Sequence, residues 1–143
     1  MSIARYTPLK RIATSGGDVL HGMKRGESGF AGFGEVYFSW VAKGAIKGWK
    51  RHREMTLNLI VPLGAVQFVL TLQSGASAAE PSFEEFVLCS ETRYGRLTVP
   101  PGVWMAFQGM GEGMNLVTNV ANLPHDPNEV ERMSLEALDY PWA

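Results

Sequence analysis

Between Ile46 and Leu70 the chain reads IKGWKRHREMTLNLIVPLGAVQFVL. Lys47, Lys50, Arg51 and His52 crowd ahead of a strongly apolar, β-prone run. Two readings fit: a solvated turn, because charge runs usually face water, or a pocket for an anionic ligand. The second carries chemistry. His52 is the candidate general base, because histidine titrates near neutrality without help from its surroundings. A protonated Lys50 beside it favours the neutral imidazole, since like charge disfavours a second proton. Lys50 or Lys47 would stabilise an oxyanion formed when a base removes a proton beside a carbonyl, or would pair with an anionic group of the ligand.

The elements that must position these groups are short strands. Sixteen glycines and eight prolines punctuate the chain at fairly regular spacing, which marks an all-β sandwich or barrel. Strands are expected over Val19–Met23, Glu35–Val41, Ala45–Trp49, Leu57–Val61 and Ala65–Leu72, then over Gly95–Val99, Trp104–Phe107 and Met114–Val120. Phe83–Ser90 suits a strand or a helical turn. Gly26–Gly34, Gln73–Ser82 and Leu123–Asn128 read as loops, and Pro100-Pro101-Gly102 as a tight turn. Glu129–Leu138 is the one helix candidate, with acidic residues early and Met133, Leu135 and Leu138 along it. The architecture that closes so many short antiparallel strands is a jelly-roll β-barrel with a short C-terminal helix.

Bulk properties narrow the class. A chain of 143 residues implies one domain, spanning 1–143, and its 45% hydrophobic content supplies a core. A net charge of −1 lacks the basic excess of a nucleic-acid binder. A single cysteine, Cys89, allows no internal disulfide and fits a reducing, cytoplasmic compartment. No apolar run is long enough for a membrane span.

Several blocks then resemble a known family. Gly44–His52 followed by a strand ending at Gly64, and Val99-Pro100-Pro101-Gly102-Val103-Trp104-Met105, are similar to the two blocks of the cupin superfamily. TPLKRI with GGDVLHGMK, FGEVYFSWVAKGAIKGW, and NLPHDPNEVERM with ALDYPW resemble the dTDP-4-dehydrorhamnose 3,5-epimerases and the nucleotide-sugar 3,4-ketoisomerases. The resemblance implies a homodimeric barrel that takes a nucleotide-linked 4-keto-6-deoxy sugar and moves a proton beside the ketone, without a cofactor. It implies no metal either. Lys50 replaces the first histidine of the metal-binding H-x-H pair, Met105 the later one, and Thr56 or Leu57 the glutamate; a lysine ammonium has no lone pair to give. The epimerases place their histidine base where Lys50 stands and a tyrosine acid on a later strand, yet Met114–Val120 holds no tyrosine. Catalysis would therefore rest on His52 and Lys50. Lys47 would bind substrate, and Lys50 or Lys47 would stabilise the enolate or pair with the diphosphate. Glu35 and Tyr37, which share strand parity, would line the pocket with Asn58, Asn115 and Asn119, and Trp104 would stack on a ring. Loss of both catalytic positions leaves open a non-catalytic module that binds a nucleotide sugar or another small anion. A cavity plugged by Trp49, Met55, Met105 and Met114 would mark a purely structural cupin.

Overall fold

A computed structural model describes residues 2–72 and 82–143. All but the last residue of the loop expected over Gln73–Ser82 lies outside the described residues. The strands are β1 (Arg5–Pro8), β2 (Arg11–Ile12), β3 (Val19–Leu20), β4 (Glu35–Ala42), β5 (Ile46–His52), β6 (Leu57–Leu63), β7 (Ala65–Thr71), β8 (Glu84–Cys89), β9 (Gly95–Val99), β10 (Trp104–Gly109), β11 (Met114–Ala121) and β12 (Val130–Arg132). They form two five-stranded sheets, β1-β9-β6-β11-β4 and β12-β5-β10-β7-β8, with β2-β3 as a small hairpin. All pairings within these sheets are antiparallel, and the result is the expected jelly-roll barrel. Among the described residues no helix is long and apolar enough to cross a membrane.

Strand alternation builds the core. Leu57, Leu59 and Val61 of β6, Leu97 and Val99 of β9, Phe68 and Leu70 of β7, and Met105 of β10 face one another between the sheets. Each such side chain contributes roughly 1.5–3 kcal/mol when fully buried. The alternate residues point outward and are covered differently on the two sheets. On the second sheet, Trp49, Trp104 and Ala106 pack beneath Leu135, Leu138, Tyr140 and Trp142 of the C-terminal tail. On the first, the glycine-rich segment lies over β6 and β9. The fully buried Arg96 donates to the carbonyls of Gly22 and Ser28 at 2.7 and 3.2 Å, and Asn58 Nδ2 donates to Gly29 at 3.0 Å. Gly29 has φ +93°, and a Cβ there would stand 2.7 Å from Thr98 Oγ1, so the segment needs glycine to approach the sheet.

Two irregularities shape the barrel. In β6, Ile60 pairs with Thr118 and Leu63 with Leu116, so β6 carries one extra residue. Pro62 sits in that bulge, where a missing N–H disturbs no regular ladder. In β5, Lys50 pairs with Met105 and Lys47 with Phe107, which places the extra residue at Gly48–Trp49.

The expected helix over Glu129–Leu138 does not form. Pro127–Glu129 and Leu135–Ala137 are single 3₁₀ turns, and Val130–Arg132 between them is strand β12 on the edge of β5. Ten residues are too few to nucleate a helix unaided, and β5 offers an open ladder that helix formation would leave unpaired. Tertiary pairing overrides local propensity here. Phe83–Ser90 resolves as strand β8, Glu84–Cys89.

Candidate active site

The bulge in β5 decides which charges enter the barrel. Lys47 and Lys50 are three residues apart and would face opposite sides of a regular strand. With the extra residue between them, both line one cavity, together with His52. Trp49 and Arg51 face outward. The Arg51 guanidinium grips Glu131 through Nη2 at 2.8 and 2.9 Å and lies 4.8 Å over the Trp104 ring. The charge run therefore divides: two lysines and the histidine serve the cavity, and Arg51 fastens β12 to β5.

The cavity measures about 150 Å³. Its floor is apolar, built from Leu57, Leu59, Met105, Phe107 and Val117. One wall carries Lys47, Lys50, His52 and, from β12, Arg132. The facing wall carries Tyr37 and Ser39 of β4 and Asn119 of β11, with His125 from the loop after β11. The cavity is open. Of the side chains that would plug it, only Met105 lines it; Trp49 and Met55 are packed into the cores and Met114 is exposed.

His52 has a partner that sequence reading missed. Its Nδ1 is hydrogen-bonded to Glu129 Oε1, and the other carboxylate oxygen accepts the backbone N–H groups of Glu54 at 3.1 Å and Met55 at 3.2 Å. Burial alone would raise the Glu129 pKa, but the hydrogen bonds from His52, Glu54 and Met55 outweigh it and hold the carboxyl below its ordinary range. An ionised Glu129 only accepts, so Nδ1 carries the proton and the Nε2 lone pair is left for the cavity. Glu129 is itself fixed. Its N–H donates to the Asp126 carbonyl, its carbonyl accepts from Arg53 N–H, and Asp126 Oδ1 caps Asn128 N–H at 2.9 Å.

Opposite, Asn119 sets the polarity of a second network. Its Oδ1 accepts from the N–H of Asn58 at 3.0 Å, so Nδ2 must face Tyr37, to which it donates at 2.9 Å. The Tyr37 oxygen is thereby an acceptor, and its own proton is free to point into the cavity. A phenol thus reaches the site from β4, at the position paired with Asn119 on the later strand where no tyrosine occurs.

The cations on the first wall make no ion pair among the described residues. Lys50 stands directly across from Arg132 in the β5–β12 pair. Burial, and then the positive charges of Arg132 and Lys47, push the Lys50 ammonium pKa below its ordinary value.

Among the anticipated residues, His52, Lys50, Lys47, Tyr37 and Asn119 meet at this cavity. The others stand elsewhere. Asn58 lies on the outer face of β6, where its side chain binds Gly29 and accepts from Thr98 at 2.6 Å. Asn115 is a clamp, accepting from Ala65 N–H at 2.9 Å and donating to the Val41 and Gly111 carbonyls. Trp104 belongs to the outer cluster under the tail. Glu35 stops short of the cavity and accepts the His125 N–H at 2.5 Å. Glu129, His125 and Arg132 are the additions. Among the described residues no group of three or more histidine, cysteine or acidic side chains is placed to hold a metal ion.

Comparison with protein-family models and with curated proteins gives no match. Solved structures match along nearly the whole chain. A sugar 3,4-ketoisomerase, QdtA from Thermoanaerobacterium thermosaccharolyticum in complex with TDP, is 20% identical, with TM-score 0.72 over 95% of this chain and 92% of that one. A dTDP-4-dehydrorhamnose 3,5-epimerase from Sulfolobus tokodaii is 19% identical, with TM-score 0.77 over 96% and 81%. These two share the fold. A dTDP sugar isomerase from Desulfovibrio desulfuricans is 33% identical and superposes with TM-score 0.88, covering 97% of this chain and 90% of its own. Identity at that level along both chains, on one barrel, shows that this chain belongs to the dTDP-sugar isomerase family.

Proposed function

We propose that this chain is an isomerase of a 4-keto-6-deoxy sugar linked to a nucleotide diphosphate, working in deoxysugar or polysaccharide biosynthesis. The observation that carries this reading is the His52–Glu129 pair, opening onto a cavity whose far wall offers a hydroxyl proton and whose near wall offers cations that make no ion pair among the described residues. His52 Nε2 removes the proton on a carbon beside the ketone. The charge that moves to the carbonyl oxygen is met by the Tyr37 hydroxyl and the Lys50 ammonium. Return of a proton to the same carbon from the other face inverts it; return to the former carbonyl carbon, with the hydroxyl proton of the first carbon passing to the former carbonyl oxygen, moves the ketone. A carboxylate that fixes the tautomer of a cavity histidine supports catalysis over binding alone.

A cavity of about 150 Å³ falls below the 300–1,000 Å³ typical of whole-ligand pockets. It suits a pyranose ring, which leaves the diphosphate at the mouth beside Lys47 and Arg132. The Lys50–Arg132 pair, which has no acidic partner among the described residues, fits an anion that arrives with the substrate, since like charges directly opposite on paired strands are destabilising. Lys50→Met is therefore expected to stabilise the free protein by about 0.5 kcal/mol. The same change should weaken dTDP binding about tenfold, roughly 1.4 kcal/mol by titration calorimetry. Unchanged dTDP affinity in Lys50→Met would show that the cluster is not organised for an anion.

The reading extends to a cytoplasmic homodimer. Its support is β4, an edge strand whose outward row exposes Val36, Phe38 and Trp40 at 43%, 62% and 52%. Exposed apolar edges of this kind are normally covered by a partner. Sedimentation as a 15.7 kDa species at micromolar concentration would remove the dimer.

The activity is tested by incubating the protein in heavy water with dTDP-4-keto-6-deoxyglucose and following the hydrogens beside the ketone by NMR. Exchange above a protein-free blank is expected. Its absence would sink the isomerase reading.

A further inference from the structure

We propose that His125 is a second catalytic residue, which delivers a proton to the face of the sugar opposite His52 and so commits this site to inversion at carbon. The proposal rests on the isomerase reading above. Inverting a carbon beside a ketone requires that a proton leave one face and another arrive on the opposite face. A single base does this poorly, because it returns the proton to the face from which it took it.

His125 is placed for the second task. His52 lies on β5 in one sheet. His125 is tethered to the start of β4, in the other sheet, and both histidines line the cavity between. Three hydrogen bonds fix the backbone of this loop. Asn122 Oδ1 accepts from Thr56 N–H at 2.8 Å, Glu35 accepts the His125 N–H at 2.5 Å, and Asp126 Oδ1 accepts from Asn128 N–H at 2.9 Å. The backbone is thus fixed while the imidazole makes no hydrogen bond among the described residues. Its loop ends at Glu129, so one short segment sets both groups: the carboxylate behind His52 and the imidazole across from it.

The proton count closes. Neutral His52 takes the carbon-bound proton and becomes imidazolium. Protonated His125 gives its N–H proton to the opposite face of the same carbon and becomes neutral. Each ring then resets by exchange with water, and the exposure of His125 suits it to take up a solvent proton every turnover. Tyr37 shares the far wall, but its hydroxyl is held by Asn119 and serves the carbonyl oxygen.

The test separates exchange from inversion. Wild type, His125→Asn and Tyr37→Phe are each incubated with dTDP-4-keto-6-deoxyglucose in heavy water. Deuterium in the unreacted sugar and the amount of inverted sugar are both read by NMR, with folding checked by thermal melting. His125→Asn is expected to keep deuterium uptake within about threefold of wild type while product formation falls about a hundredfold, the lower range for losing a general acid. Three results overturn the proposal alone: product formation preserved in His125→Asn, uptake and product lost in equal measure, or the split appearing in Tyr37→Phe instead. No uptake and no product with the wild type overturns the isomerase reading, and this proposal with it.

Discussion

Replacing His52 with asparagine should lower catalysed proton exchange by at least about a hundredfold, and by up to about ten-thousandfold, the range for loss of a positioned general base. Asparagine keeps a polar group of similar reach and can still donate to Glu129, so the fold should survive. What disappears is the Nε2 lone pair facing the cavity. Lys47, Lys50 and Arg132 are unchanged, so dTDP affinity should stay within about twofold while turnover collapses, the signature of a group that acts in the transition state. Rates from single-turnover NMR and affinities from titration calorimetry make the comparison. Exchange that persists near the wild-type rate in His52→Asn would move the base elsewhere, with His125 the first alternative.

Glu129→Gln should affect both rate and stability, because one carboxylate answers three donors. His52 Nδ1–H, Glu54 N–H and Met55 N–H all point at its oxygens. Glutamine offers one oxygen and one NH₂ group, so a donor must face a donor. If the NH₂ turns to His52, the ring flips tautomer, its proton moves to Nε2, and the base is lost. If the NH₂ turns to the backbone, two buried N–H groups lose their acceptor. The expected cost is about 2 kcal/mol, within the range for hydrogen bonds to a charged group. For a chain of this size that is about 4–8 °C in melting temperature. Catalysed exchange should fall about a hundredfold or more. The effect also has a pH signature. The folded-state pKa of Glu129 is lowered, so its contribution is fully present above the unfolded carboxylate value of about 4.3 and is lost as pH falls through the folded value. The melting-temperature gap between wild type and Glu129→Gln should therefore be widest near neutrality and shrink in acid. A gap that stays constant from pH 7 to pH 3 would show that Glu129 is not the ionised partner of His52.

The barrel was legible in the sequence because its signals are local. Alternating apolar residues, glycine and proline punctuation and the Pro-Pro-Gly turn each act over a few positions, and the barrel follows from them. The residues of the site were legible where strand parity held. Tyr37 and Asn119 face inward as alternation requires. Asn58 misled because a polar residue in an apolar strand has two explanations, a wet cavity or a covering loop, and only the contact with Gly29 separates them. Trp104 misled for a similar reason: its side of β10 is buried by the C-terminal tail, far along the chain. Glu129 was invisible as the partner of His52 because 77 residues separate them, and locally it reads as an acid in the first turn of a helix. His125 sits in a stretch with no periodicity at all; its placement depends on a tether to Glu35, 90 residues earlier.

The bulge in β5 has a consequence for how such a protein can change. Residues before it and residues after it keep opposite phases, so the strand works as two short rulers joined at Gly48–Trp49. Point substitution at Lys47 or Lys50 alters the charge of the cavity and leaves the packing of Trp49 alone. Removing one residue at the joint would instead turn one ruler by half a period, sending either Lys47 or both Lys50 and His52 to the outer face. Side-chain chemistry at this wall is therefore free to drift, whereas the length of β5 is not. New sugar specificities on this barrel are reachable by replacement within β5 and are closed to insertion or deletion there.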